Sequence, residues 1–317
     1  MGELHKFLFE GLPVRGMLVR LREDWRELLV RRAGAEGRAF APEVRTLVGE
    51  MAAAAVLMQA NIKFNGALVL QIFGDGPVKL AVAEAQPDLG FRATAKVVGE
   101  VAAGAQLEAL VNVHGQGRCA ITLDPKARLP GQQPYQGVVP LAAGAHGKAG
   151  QPLQRVEQVL ELYMRQSEQL DTRLVLAADE HTAAGLLIQR LPAAGADDDG
   201  AGPDDAYGRI ALLAATVKRD ELLALPAQRL LQRLFAEETL RVYTPQPTRF
   251  ACTCSRERVR GMLRTLGRAE SDSLVAERGA VEVACDFCGQ TYRFDAVDVG
   301  EMFTPGRDQP PVSGAVQ

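Results

Sequence analysis

The chain has 317 residues, of which 47% are hydrophobic and 24% charged, enough for about two globular domains. A formal net charge of -3 excludes the strongly basic balance that draws a protein to nucleic acid or to an anionic membrane. The longest apolar run, Met51 to Met58, is too short to span a bilayer, and Glu3, His5, Lys6 and Glu10 interrupt the N-terminus where a secretory leader would be apolar. The expectation is a cytoplasmic protein that binds neither nucleic acid nor membrane.

In chain order, the first predicted element is a short helix through Trp25, Leu28 and Leu29, with Asp24 as its cap. An amphipathic helix follows Pro42, carrying Val44, Leu47, Val48, Met51, Ala55 and Met58 at three- and four-residue steps. Period-two alternation then predicts four strands, through Leu68, Leu70 and Ile72; Val78, Leu80 and Val82; Phe91, Ala93, Ala95 and Val97; and Cys119, Ile121 and Leu123. Gly74-Asp-Gly-Pro77 joins the first two as a hairpin turn and is no phosphate loop, because no Lys-Ser/Thr pair follows. A helix through Leu153, Val156, Leu160 and Tyr163 comes after Pro152, then strands over 172–178 and 182–191. Strands in runs, broken by single helices, read as α+β.

The acidic, Gly-rich stretch 194–205 has the composition of an exposed linker. Beyond it, Ile210, Leu213 and Val217 form one helical stripe and Leu230, Leu231, Leu234 and Phe235 another, separated by the Leu225-Pro226 break. Helices this short are marginal alone and must lie on the first domain. The boundaries expected are a core over 1–195, a helical linker region over 196–243, a small C-terminal domain over 244–303 and a disordered tail over 304–317.

Four of the five cysteines form two tight pairs, Cys252-Thr-Cys254 and Cys285-Asp-Phe-Cys288-Gly289, thirty residues apart. In a reducing compartment such pairs serve a metal or redox chemistry, not a structural disulfide framework. Four thiolates make a closed, tetrahedral structural zinc site for one ion per chain, with no open position for a substrate. A thioredoxin-like reading of Cys285 and Cys288 needs a helix after the pair, whereas Gly-Gln-Thr-Tyr-Arg-Phe reads as a strand and makes the pair the turn of a zinc hairpin. Cys119 alternates with Ile121 and Leu123 as a core thiol, and the four histidines are scattered. Arg256, Arg258, Arg260, Arg264 and Arg268 read as a solvated helix face, close enough to the thiolates to help keep them deprotonated. A zinc-ribbon nucleic-acid-binding protein and a thiol oxidoreductase are the rival readings.

With these residues in place, the chain resembles the thirty-three-kilodalton heat-shock protein family, the redox-regulated holdase chaperones of bacteria. The likeness runs from about Leu4 to Phe303. Its most specific part is the cysteine pattern within Phe250-Ala-Cys-Thr-Cys-Ser-Arg-Glu-Arg258 and Cys285-Asp-Phe-Cys-Gly289. Leu8-Phe-Glu10, Val14-Arg-Gly16, Gly74-Asp-Gly-Pro77, Tyr135-Gln-Gly-Val-Val139 and Ser167-Glu-Gln-Leu170 support it in order, while Met164 departs from an aromatic residue in the family. The resemblance implies a non-enzymatic chaperone with Cys252, Cys254, Cys285 and Cys288 as zinc ligands. It further implies that oxidation joins Cys252 to Cys254 and Cys285 to Cys288, ejects zinc and converts an inactive monomer into a dimer. That dimer would hold unfolding client proteins and pass them to ATP-dependent foldase chaperones. Structural zinc contributes roughly 10 to 16 kcal/mol of apparent binding energy against about 5 to 15 for a whole domain, so losing it would unfold a small unit.

Overall fold

The computed structural model describes residues 2–34, 39–127, 133–143, 151–192 and 206–304. Two compact units emerge, Met1–Ala251 and Cys252–Gln317. The first unit begins β1 (Glu3–Phe9), β2 (Val14–Leu21), α1 (Glu23–Ala33), α2 (Pro42–Asn61), β3 (Gly66–Phe73), β4 (Val78–Ala85), β5 (Gly90–Val97), α3 (Leu107–Val111) and β6 (Arg118–Pro125). It continues with β7 (Tyr135–Pro140), a short pair β8 (Ala142–Ala143) and β9 (Gln151–Pro152), α4 (Val156–Gln166), β10 (Thr172–Ala178) and β11 (Ala183–Arg190). Three helices follow, α5 (Ala206–Ala215), α6 (Arg219–Ala224) and α7 (Ala227–Leu234), then β12 (Leu240–Val242), β13 (Gln246–Pro247) and β14 (Arg249–Phe250). In the second unit are α8 (Arg256–Leu266), α9 (Arg268–Arg278), β15 (Val281–Ala284), β16 (Thr291–Phe294) and α10 (Ala296–Met302). The mixed α and β content agrees with the sequence reading. The stretch 194–205 and the tail 305–317 lie outside the described residues.

Two sheets enclose α2. One has the order β10-β11-β2-β1-β12, with β13 also on β1; the other runs β14-β5-β4-β3-β6-β7. Packed on β2, β10 and β11 on one side and on β3, β4 and β5 on the other, α2 has no face left for water from Met51 to Gln59, while Glu43, Arg45, Thr46 and Glu50 in its first half stay partly exposed. The expectation of an amphipathic helix is therefore corrected: thirteen of its residues are buried, including the unbroken run Met51–Gln59. A second half that is apolar all round is what a position between two sheets requires. Small residues let the layers close, and at Gly49 even a Cβ would sit 2.4 Å from Ala178 Cβ.

The first sheet is covered on both faces. Leu4, Met17, Val19 and Leu21 turn toward the α2 core, while Phe7, Phe9, Val14 and Leu18 turn away to meet Ile210, Leu222, Leu230 and Phe235. Strands buried on both faces lose the polar half of their alternation, which is why β1 and β2 escape a period-two reading. The Leu/Ala helices do lie on the first domain, and their break falls at Pro226, the residue that caps α7. Phe9 and Phe235 meet edge to face at 5.0 Å between centroids, and Arg20 donates through Nε to Leu222 O at 3.1 Å, fastening α6 to the sheet. Gly16 pairs with Phe7 in register, and a Cβ there would come within 2.1 Å of the ring. Asp24 is not the α1 cap, since the helix starts at Glu23 with Arg22 before it. Its buried carboxylate accepts instead from the backbone N–H of Arg22 at 2.6 Å and from the Thr248 hydroxyl.

Candidate metal centre

The second unit builds its site from two local turns. Cys252 and Cys254 lie in the approach to α8, whose N-cap Ser255 accepts the Arg258 N–H at 3.2 Å and fixes where the helix begins. Cys285 and Cys288 occupy the turn between β15 and β16, closed by Cys285 N–H to Gln290 O at 2.9 Å and Gly289 N–H to Cys285 O at 2.8 Å. Gly289 takes φ +71°, a left-handed conformation natural to glycine. This is the hairpin read from the sequence.

All four predicted sulfurs come together, each within 4.8 Å of the others and so placed to hold one metal ion. Cys252 Sγ stands 3.7 Å from Cys285 Sγ and Cys254 Sγ 3.4 Å from Cys288 Sγ. Bonds of 2.3 Å to a tetrahedral zinc would set sulfur–sulfur edges of about 3.8 Å, so the donor set and its spacing fit that ion. Cys119 belongs to the other unit, on β6, where burial pushes its thiol up to about 12.

Within the cluster the Cys285 thiol is drawn down, by the hydrogen bond from the Cys252 thiol and then by the backbone N–H groups of Cys288 and Phe287. Its partner Cys252 is displaced upward by the same bond, and burial pushes Cys288 up to about 11. The arginine strip forms α8 and the start of α9, but the contacts found for it lie elsewhere. Arg256 donates to Arg293 O at 2.7 Å, pairs with Asp298 at 2.7 Å and stacks 4.2 Å over the Phe294 ring. Arg258 reaches the Thr253 hydroxyl at 2.6 Å, Arg264 the Met302 carbonyl at 3.1 Å, and Arg268 pairs with Asp272. These bonds tie the unit together; the groups that draw Cys285 down are the Cys252 thiol and backbone amides.

Sequence reasoning passed over Tyr292, whose hydroxyl donates to Cys254 Sγ at 3.1 Å. The available signal was its place in the strand after the second pair, one step from Phe294 in the same alternation. The helix α10 was likewise missed, although Asp295 caps it and Asp298 returns the bond, a capping box in sequence. The buried apolar core of the unit is small: Leu263, Val281, Phe294, Val299 and Met302.

Fold and site together define a two-unit protein in which a sheet–helix–sheet domain precedes a small four-thiol unit. Residues 2–295 match the family model described as Hsp33 protein. The chain is 44% identical to the 33 kDa chaperonin of Chromobacterium violaceum over 95% of its length and 93% of that protein. With the 33 kDa chaperonin of Methylobacillus flagellatus it shares 43% identity, over 96% and 97%. It belongs to the Hsp33 family of chaperones. The crystal structure of the 33 kDa chaperonin from Thermotoga maritima has the same fold, with a TM-score of 0.73 at 20% identity, covering 95% of this chain and 97% of that one. No helix among the described residues is long and apolar enough to cross a membrane.

Proposed function

We propose that the protein is a redox-regulated holdase in which the four-cysteine unit senses oxidants and the first unit captures unfolding proteins. The observation that carries this reading is the convergence of four sulfurs on a unit whose core cluster, among the described residues, holds five buried apolar side chains. So small a core leaves the unit dependent on whatever the sulfurs bind. Cys252 and Cys254 from the approach to α8, with Cys285 and Cys288 from the hairpin turn, would hold zinc. When bound, zinc keeps all four sulfurs as thiolates and supplies the stability that the core lacks.

The residues do the switching. Cys252 with Cys254, and Cys285 with Cys288, would each give up two electrons as a thiolate pair to one molecule of a two-electron oxidant such as hydrogen peroxide, which takes up two protons from solvent and leaves as two waters. A disulfide sulfur has no charge to offer a cation, so the ligand set is lost. On this reading the unit then unfolds, α5 to α7 leave the first sheet, and the exposed apolar face binds client proteins and a second copy of the chain. Clients would pass to ATP-dependent foldases in the cytoplasm.

Light scattering of a thermally aggregating client decides the matter. Oxidised, zinc-free protein should suppress scattering at near-stoichiometric amounts, and reduced, zinc-loaded protein should not. Equal protection by both states would sink the redox switch. Protection by neither would sink the holdase.

A further inference from the structure

The donors around the cluster are of two kinds. Cys252 accepts from the backbone N–H of Cys254, Cys285 from those of Phe287 and Cys288, and Cys288 from that of Gln290. All of these amides lie within three residues of the sulfur they serve. At Cys254 a side-chain hydroxyl from β16, Tyr292, reaches the sulfur across 38 positions of sequence at 3.1 Å. Tyr292 pairs with Val283 across the hairpin, and its ring packs against the small apolar core while the side chain stays partly exposed. The ring is therefore held by the fold, and the hydroxyl is aimed at one sulfur.

We propose that Tyr292 is a positioning residue whose O–H···S bond lowers the nucleophilicity of Cys254. The inference rests on the metal–thiolate reading above. A sulfur lone pair engaged by a donor is less available to attack an electrophile, and the bond must weaken as S–C or S–O bond formation drains charge from sulfur. The backbone amides that serve Cys252, Cys285 and Cys288 are donors no side-chain change removes. Tyr292 can thus be tested by deleting one oxygen while its ring stays in place.

The test uses the reduced, zinc-loaded full chain. Wild type, Tyr292→Phe and Val283→Ala are treated with limiting iodoacetamide, and each cysteine's alkylation rate is read by peptide mass mapping. The Phe variant should raise the Cys254 rate roughly 3- to 10-fold, the reach of about one modest hydrogen bond, and leave Cys285 and Cys288 within about twofold. Val283→Ala loosens the hairpin without touching the hydroxyl, and should move all four rates together. In cobalt-loaded protein, Tyr292→Phe should shift the sulfur-to-cobalt charge-transfer band to lower energy. Should the Phe variant fail to fold, 3-fluorotyrosine in the otherwise unchanged chain replaces it: the stronger donor should slow Cys254 alone. An unchanged Cys254 rate, or a rise shared by all four cysteines, overturns the proposal. Absence of bound metal from reduced wild type would instead overturn the metal–thiolate reading, and metal content is measured separately from the alkylation ratios.

Discussion

Leu230→Ala should turn the reduced protein on. Leu230 is fully buried on α7, beside Ala227, Leu231 and Leu234, in the layer that covers Phe7, Phe9, Val14 and Leu18. Truncating a buried leucine to alanine costs about 2 to 5 kcal/mol, depending on how far the site collapses. A helix of eight residues cannot hold itself in water, so the loss falls on the docking of α7 and its neighbours. The α2-centred core is a separate cluster and should keep its stability. At about 1.4 kcal/mol per decade, the undocked population rises roughly 30- to 5,000-fold. Hydrogen exchange of the reduced, zinc-loaded variant should lose protection over residues 206–234 by such a factor, with zinc content unchanged. The same sample should suppress client aggregation without oxidant. If protection fell there and the client still aggregated, uncovering that face would not be the activating event. If protection held, the docking energy assigned to Leu230 would be wrong.

Replacing Cys252, Cys254, Cys285 or Cys288 singly by Ser should lower zinc below one per chain, while Cys119→Ser keeps it; loss of metal in the Cys119 variant alone would contradict the assignment. On brief peroxide exposure, mass mapping should find the Cys285–Cys288 disulfide before Cys252–Cys254. A one-residue spacer spans up to about 7 Å between Cα atoms when extended and must bend to reach disulfide geometry of about 4.4 to 6.8 Å. Burial, with the Glu157 carboxylate second, pushes Glu50 on α2 up to about 8. The folded state then keeps a proton that the unfolded chain releases, so this stability is full below about pH 4.3 and lost as pH rises through about 8. The gain in denaturation midpoint from Glu50→Gln should therefore grow between pH 5 and pH 8.5, and a constant difference would refute the burial argument.

What the sequence displayed depended on how many faces an element buries. β3 alternates buried and half-buried positions, and its apolar period was plain. β2 is buried almost throughout, so its run Val14–Leu21 shows no period at all. The helix α2 was legible as a helix, but its environment lay in the length of the apolar run from Met51, not in its spacing. The cysteine site was legible almost whole, because each pair is local and only one long-range join is needed. Tyr292 was not, because nothing within its own strand says which sulfur a hydroxyl will reach. The partners of the arginines were illegible for a related reason: charge in sequence does not tell which carboxylate or carbonyl will take it up.

The layout of residues 235–251 bears on how loss of the metal site could release the helices. From the linker helices the chain does not run straight into the cysteines. It is stitched along β1 by Thr239 O, which accepts from Glu10 N–H, by Tyr243 N–H to Lys6 O, and by Thr248 N–H to Gly2 O; it then joins β5 through Ala251 N–H to Phe91 O. Thr248 is buried against Asp24. Unfolding of residues 252–304 alone therefore leaves α7 anchored on both sides, by its own apolar stripe and by this strap. Were oxidation to release the helices as proposed above, it would have to include peeling of β12 to β14, an edge whose prolines at 245 and 247 already leave it short of donors. If the proposed redox switch operates, the strap is where unfolding of the second unit would have to propagate to reach the helical cover, and its edge position would let it peel while the core around α2 stays folded.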